Sequence, residues 1–202
     1  MILAKNPPLN ADPGNTRESD KTLKVAIVAS YAGVSVGGAY MLTLLPNIEI
    51  FSMLLFLGGM LFGKRLGLII SLVAALIYGL FNIYGASPWP ILIVQLGCYG
   101  SLGLLGGFFK DSRTIHPITR RTQGIFGLVG TCFALGYTLL ADIMFPLFTG
   151  GQNTIALWVL YGMPMRLILM ICDLITFSQL VPLVYISIEK HLRTLFPRAM
   201  NI

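Results

Sequence analysis

The stretch GMPMRLILMICDLI, residues 162–175, sets Arg166 and Asp173 seven positions apart in a chain segment that is otherwise apolar. At 3.6 residues per turn the two lie on one helix face, two turns apart. A third charge, Asp142, stands near the end of the preceding apolar run. Charges at membrane depth cost several kcal/mol unless paired or hydrated, so all three are expected to face a bundle interior. Two kinds of chemistry suit them. The guanidinium could clamp two carboxylates and fix helix register, or it could floor an externally open cavity and take a ligand carboxylate or phosphate by charge-assisted hydrogen bonds. Asn47, Glu49, Asn82, Tyr84, Trp89, Gln95, Trp158 and Tyr161 gather further polar and aromatic groups at or just below the same end. With Asp142, Arg166 and Asp173 they form the candidate substrate-binding set, a few fixed polar groups in a partly apolar pocket. Tyr84, Trp89 and Trp158 would serve equally as an interfacial aromatic belt.

Catalytic constellations are a different matter. The chain has no HExxH, GxSxG, Walker A or paired-carboxylate pattern, and His116 and His191 lie beside basic residues. Cys98, Cys132 and Cys172 fall in apolar segments without CxxC or Cys/His spacing, so they read as small buried hydrophobes and imply no metal and no disulfide. The reading is a non-enzyme without cofactor. Uphill transport by such a chain would draw its energy from a partner or from an ion gradient.

The elements that must position these residues are membrane helices. The sequence is 55% hydrophobic and 11% charged, with a mean hydropathy of +0.79. Its apolar runs approach ~20 residues, the length that crosses a ~30 Å hydrocarbon core at ~1.5 Å per residue. They do not alternate as barrel strands do. The expected architecture is an all-α integral membrane bundle of six helices, over 23–45, 49–63, 66–82, 89–109, 122–146 and 157–188. The second is short enough to be tilted, interfacial or stopped within the bilayer. Residues 1–22 read as a flexible cytoplasmic tail and not a cleavable signal, 23–190 as the helical domain, and 191–202 as a second tail.

All but one of the 14 Lys and Arg residues fall before helix 1, between helices 2 and 3, between helices 4 and 5, or after helix 6. By the positive-inside rule that side is cytoplasmic, with both termini inside. The exception is Arg166. The net charge of +6 is then chiefly a topology signal with some attraction to anionic lipid, and nucleic acid is not an expected partner. The opposite side has three loops, LPNIE (45–49), NIYGASPWP (82–90) and FPLFTGGQNTIALW (145–158), none containing Lys or Arg.

In AIVASYAGVSVGGAY, Ala26 and Ser30, and beside them Ala29, Gly33 and Gly37, form two small-xxx-small rows that let another helix approach closely. The partner could be external or one of the chain's own helices. The run CYGSLGLLGGFF (Gly100, Gly103, Gly106, Gly107) points to tight internal packing.

Taken together, the small-residue rows, LPNIEIFSMLLFLGGMLFGKRLG, GASPWPILIVQLGCYGSLGLLGGFF and YGMPMRLILMICDLITFSQLVPLVYISIEK resemble the substrate-binding S components of energy-coupling factor (ECF) transporters over residues 25–192. The resemblance implies an ABC-type uptake subunit in the cell membrane that binds a vitamin or cofactor precursor under the three non-basic loops. It also implies docking through Ala29 and Gly33, or through Ala26 and Ser30, onto a membrane coupling subunit driven by two cytoplasmic ATPase subunits. Arg166 and Asp173 depart from that family's pattern. Cobalamin-like, tetrapyrrole and biotin-like ligands all suit the aromatic and Met-rich texture. The competing readings are a structural membrane scaffold, similar to MreD of the cell-shape machinery, and an ion-coupled carrier, whose internal repeat with broken helices is not evident.

Overall fold

A computed structural model describes residues 13–42, 50–83, 85–110 and 119–195. The described residues form helices and short connections, with no strand among them. α1 (Pro13–Leu42) opens on a proline, which suits a first helical position because its missing N–H would be unbonded there anyway. It starts ten residues before the expected boundary at 23: NTRESDKTLK contains no breaker, and the Thr22 hydroxyl donates to the Glu18 carbonyl at 3.1 Å. Polar residues ended the hydropathy signal there but not the helix.

α2 (Phe51–Phe62) is apolar all round, and every residue except Leu54 is buried. A helix with no polar face belongs inside a core. At ~18 Å it is also too short to cross a bilayer. It is enclosed by α1, α3 (Lys64–Leu80), α4 (Trp89–Lys110) and the last helix, so it is neither interfacial nor lipid-facing. One residue, Gly63, separates α2 from α3, and its φ of 88° is a conformation that side-chain-bearing residues rarely adopt.

Glycines decide how closely α2, α3 and α4 approach. A Cβ on Gly67 would stand 2.5 Å from the Gly59 Cα and 2.7 Å from the Gly103 carbonyl oxygen, and one on Gly59 would collide with Gly103. Gly106 and Gly107 meet the backbones of Phe56 and Lys64 in the same way. The glycine-dense piece of α4 therefore serves internal packing. α3 and α4 run antiparallel, with Ser71 opposite Gly103 and Gly79 opposite Gln95.

α5 (Arg120–Thr149) is capped by the Thr119 side chain, which accepts from the Thr122 N–H at 3.4 Å, and it ends at Gly150 in the left-handed conformation. The expected helix over 157–188 is three helices. α6 (Ile155–Tyr161) turns at Gly162 into α7 (Met163–Ile175), and a π-helical turn over Thr176–Leu180 leads into α8 (Val181–Leu195). Prolines explain both interruptions. A proline lacks the N–H for the bond to residue i−4, and its ring crowds that carbonyl. Pro164 does this to Leu160, where α6 ends, and Pro182 to Ser178, inside the wider π turn.

Two apolar cores stack along the bundle. One, nearer the basic end, joins Phe56, Leu61, Leu102, Phe126, Phe177 and Tyr185. The other, toward the opposite end, joins Ala32, Val36, Phe51, Leu55, Ala75 and Tyr99. Outside them, large apolar side chains such as Leu72, Leu105, Leu128, Ile168, Ile171 and Leu174 are exposed. So much exposed apolar surface belongs in lipid. Four helical stretches are long and apolar enough to cross a membrane: Glu18–Leu42, Trp89–Lys110, Arg120–Thr149 and Met163–His191. The chain is an all-helical membrane protein on this basis, with the shorter α2–α3 hairpin seated among the long helices.

Candidate functional site

The end of the bundle away from Lys64 and Lys110 holds two polar arrangements on either side of α5. The first joins α5 to α7. Arg166 is 3% exposed, and its Nη2 donates to Asp142 Oδ2 in an ion pair. Its Nε donates to Thr138 Oγ1 at 3.1 Å, and Nη1 to the Met163 sulfur at 3.3 Å. The Thr138 hydroxyl passes the chain on by donating to the Ala134 carbonyl at 2.7 Å. A guanidinium placed in an apolar seam needs partners for its five N–H groups, and these acceptors engage three of them, one from each nitrogen.

Local sequence explains the geometry. Thr138 and Asp142 are i and i+4 on α5, so they stack on one face. Gly162 makes room: a Cβ there would stand 2.7 Å from Asp142 Oδ2 and 3.2 Å from Arg166 Nη2. The carboxylate side chain is 22% exposed against 2% for the guanidinium side chain, so the pair opens outward through Asp142. This arrangement is a clamp between α5 and α7. Of the two roles the sequence offers Arg166, this geometry is that of the helix clamp, with the guanidinium engaged by Asp142, Thr138 and Met163.

The second arrangement lies between α3, α4 and α5. Gln95 is 5% exposed, and its Nε2 donates to the Tyr137 hydroxyl at 3.4 Å. Its Oε1 is buried and accepts no hydrogen bond. It lies against Gly79, where a Cβ would stand 2.7 Å from it and 2.6 Å from Leu92 Cδ1. Aromatic rings surround this level. Phe51 stacks on Tyr78 with centroids 4.7 Å apart, Tyr99 meets Phe51 edge-on at 5.0 Å, and Tyr137 lies 5.3 Å from Tyr99 and stacks on Phe133. Tyr40 of α1 adds its ring 5.8 Å from Tyr78 and donates its hydroxyl to the Phe81 carbonyl at 2.6 Å. Five helices thus contribute to one aromatic layer with an amide at its edge.

The remaining expected site residues divide. Asn82 is half-buried in the α3–α4 connection. Trp89 is 61% exposed and meets Phe148 edge-on at 4.7 Å, and Trp158 is 45% exposed and sits 5.1 Å from Phe145. Tyr161 is 78% exposed. These three form a rim and do not join the Gln95 layer, as aromatic residues at a membrane interface would. Asp173 is buried on α7, ~10 Å below Arg166 by helical rise, where α7 packs on Gly130 of α5. Asn47, Glu49 and Tyr84 lie outside the described residues. Tyr40, Tyr78, Tyr99, Tyr137 and Thr138 were not among the expected site residues. Their signal was a tyrosine in the non-basic half of each of α1, α3, α4 and α5.

The expected docking residues share one face. Ala26, Ala29, Ser30, Gly33 and Gly37 are all exposed, while Ala32, Ser35, Val36 and Ala39 turn inward. A Cβ on Gly33 or Gly37 would meet nothing within 4 Å. The small-residue rows are therefore not used against the chain's own described helices. Among the described residues no group of His, Cys, Asp and Glu could hold a metal ion.

In comparisons with protein-family models, curated proteins and solved structures, none matches this chain.

Proposed function

We propose that this chain is the substrate-capture subunit of a micronutrient uptake transporter, an S component of the energy-coupling factor type. In this reading all six long or hairpin helices are embedded in the cell membrane, both termini are cytoplasmic, and the aromatic layer lies at the extracytoplasmic end. A vitamin-like ligand is held there. Transport energy comes from a separate membrane coupling subunit and two cytoplasmic ATPases, with which the chain associates through α1.

The observation that carries the reading is the division of α1. Its inner face, through Ala32, Val36, Ala39 and Tyr40, builds the aromatic layer. Its outer face, Ala26, Ala29, Ser30, Gly33 and Gly37, is smooth and uncovered. In lipid, where apolar surface alone gives no driving force, a smooth small-residue face favours association through close backbone approach. Glycine also lowers helix propensity by about 1 kcal/mol, a cost with no return unless something packs there.

A structural scaffold is the second reading, and the Arg166–Asp142 clamp is the feature that favours it, since a scaffold needs fixed helices and no ligand. Gln95 argues the other way, because a carbonyl without a donor does nothing for rigidity. Purifying the tagged full-length chain from its native membranes separates the two. Capture predicts copurification of a second multi-helix membrane protein with nucleotide-hydrolysing subunits, together with a retained small molecule. A chain isolated with neither would refute it.

A further inference from the structure

Hydroxyls on the outer surface of the spans satisfy themselves. Ser101 on α4 and Ser187 on α8 are exposed, and each donates back to its own helix, to the Cys98 carbonyl at 2.7 Å and the Leu183 carbonyl at 2.9 Å. Gln179 has no such solution. An amide carries two N–H donors and an acceptor, more than one backbone neighbour can meet.

Gln179 lies in the π-helical turn between α7 and α8, inside the apolar stretch Met163–His191. Lys190, at the basic end, is eleven positions further on. That is ~16 Å by helical rise, about half of a ~30 Å hydrocarbon core. The Gln179 side chain is exposed at this depth. Among the described residues its amide makes one hydrogen bond, from Nε2 to the neighbouring Ser178 hydroxyl at 3.4 Å, and that hydroxyl itself donates to the Ile175 carbonyl at 3.2 Å. Exchanging the amide's nitrogen and oxygen changes nothing, because one end is unmet in either orientation. Pro182 adds to the deficit, since it has no N–H to return to the Ser178 carbonyl. Ile175 and Leu183, four positions to either side, are 57% and 64% exposed. The amide is therefore set among aliphatic side chains and lipid, which can neither donate to it nor accept from it.

We infer that Gln179 is the centre of a homodimer interface, where a second copy of this chain, inserted the same way round, pairs its own Gln179 amide with this one across a two-fold axis along the membrane normal. Chemistry and depth select this occupant. Two amides can exchange N–H···O bonds in both directions, so each supplies the donor and the acceptor that the other lacks. A partner must also present its polar group at the same depth. A second copy does so automatically, because rotation about the membrane normal preserves depth. A partner offering an ionised group here would bring a charge that no residue from Ile175 to Leu183 neutralises. Between helices in lipid, apolar surface alone gives no driving force, so the amide is what distinguishes this face from the aliphatic surface around it. The face belongs to α7 and α8, is distinct from the small-residue rows of α1, and stands independently of the capture reading.

The test reads self-association of the full-length chain in liposomes. Pools carrying donor and acceptor fluorophores are reconstituted together, and energy transfer is followed as added lipid dilutes the protein. The wild type should follow a monomer–dimer curve. Gln179→Leu, which replaces the amide by an apolar side chain on a lipid-facing surface, should fold with an unchanged or higher melting temperature. It should weaken self-association about tenfold or more, the size of the interhelical hydrogen bonds lost. Gln179→Met, the same length without the amide, repeats the measurement should leucine impair recovery. Gly33→Leu on α1 should leave the curve unchanged. A dimer kept equally by both Gln179 variants, or one lost in Gly33→Leu and not in Gln179→Leu, overturns the assignment. A wild type that is monomeric at every density also overturns it, and a different membrane protein that copurifies with the wild type and is lost on Gln179→Leu would then be the amide's partner.

Discussion

Arg166 on α7 and Asp142 on α5 meet across Gly162, the one residue between α6 and α7, so an ion pair and a backbone turn occupy the same few ångströms. The guanidinium is buried and the carboxylate partly open. Removing one partner leaves the other charge in an apolar seam, which for buried pairs costs about 3–5 kcal/mol, less here because Asp142 reaches water. Replacing both removes the uncompensated charge as well as the attraction. Arg166→Leu and Asp142→Leu should each lower the apparent melting temperature in detergent, and the double variant should recover most of the loss. A double variant as unstable as the two losses added together would mean that the residues act separately.

Gly162 gives a second handle on the same contact. An added methyl group would stand 2.7 Å from Asp142 Oδ2, a distance that Cβ atoms do not tolerate, so the carboxylate must retreat from Arg166. Overpacking of this kind costs about 1–3 kcal/mol. Gly162→Ala should lower the melting temperature in the wild type and have little effect in the Arg166→Leu, Asp142→Leu background. Equal losses in both backgrounds would place the strain in the α6–α7 turn itself.

Much of this was legible in sequence, and the exceptions have physical causes. Hydropathy found every long helix because lipid demands apolar length, and α4 was placed to within one residue, Trp89–Lys110 against 89–109. It missed the first turns of α1, which need no lipid. The breaks at Gly162 and Thr176–Leu180 were written in Pro164 and Pro182, whose effects fall on carbonyls four residues earlier. Charge drew attention to Arg166 and Asp142, whose pairing needed only a match in depth. The tyrosine layer stayed hidden because a tyrosine near a helix end reads as an interfacial anchor, and only the α2 hairpin, folded inside the bundle, turns those rings toward one another.

The glycine seam separates structural glycines from neutral ones. Gly103→Ala would drive a methyl group into Ser71 and to within 2.5 Å of the Gly67 carbonyl oxygen, backbone that cannot move aside at a crossing of three helices. Gly97, two turns away on the same helix, is exposed with nothing within 4 Å. Gly103→Ala should abolish recovery of monodisperse protein. Gly97→Ala should leave it unchanged or gain up to about 1 kcal/mol from helix propensity. Comparable yields from the two would show that α2, α3 and α4 do not cross this closely.

Gly33 tests whether the smooth face of α1 meets a partner. Because a Cβ there would meet no atom of the described chain within 4 Å, Gly33→Leu has no internal contact to break. The variant should fold, keep its melting temperature and retain its small molecule. A leucine standing out of a face that must come backbone-to-backbone with another helix would nevertheless hold the two axes apart, and dispersion contact falls steeply with separation. Copurification of the second membrane protein should therefore fall to background, and Ala29→Leu, one turn away, should behave alike. Val34→Leu, on the same helix but outside the small rows and already 63% exposed, is the control that should leave the complex intact. If Gly33→Leu and Val34→Leu both retain the partner, association runs through another surface and the assignment of α1 fails, whereas loss of the partner in both would mark a general intolerance of bulk along the helix.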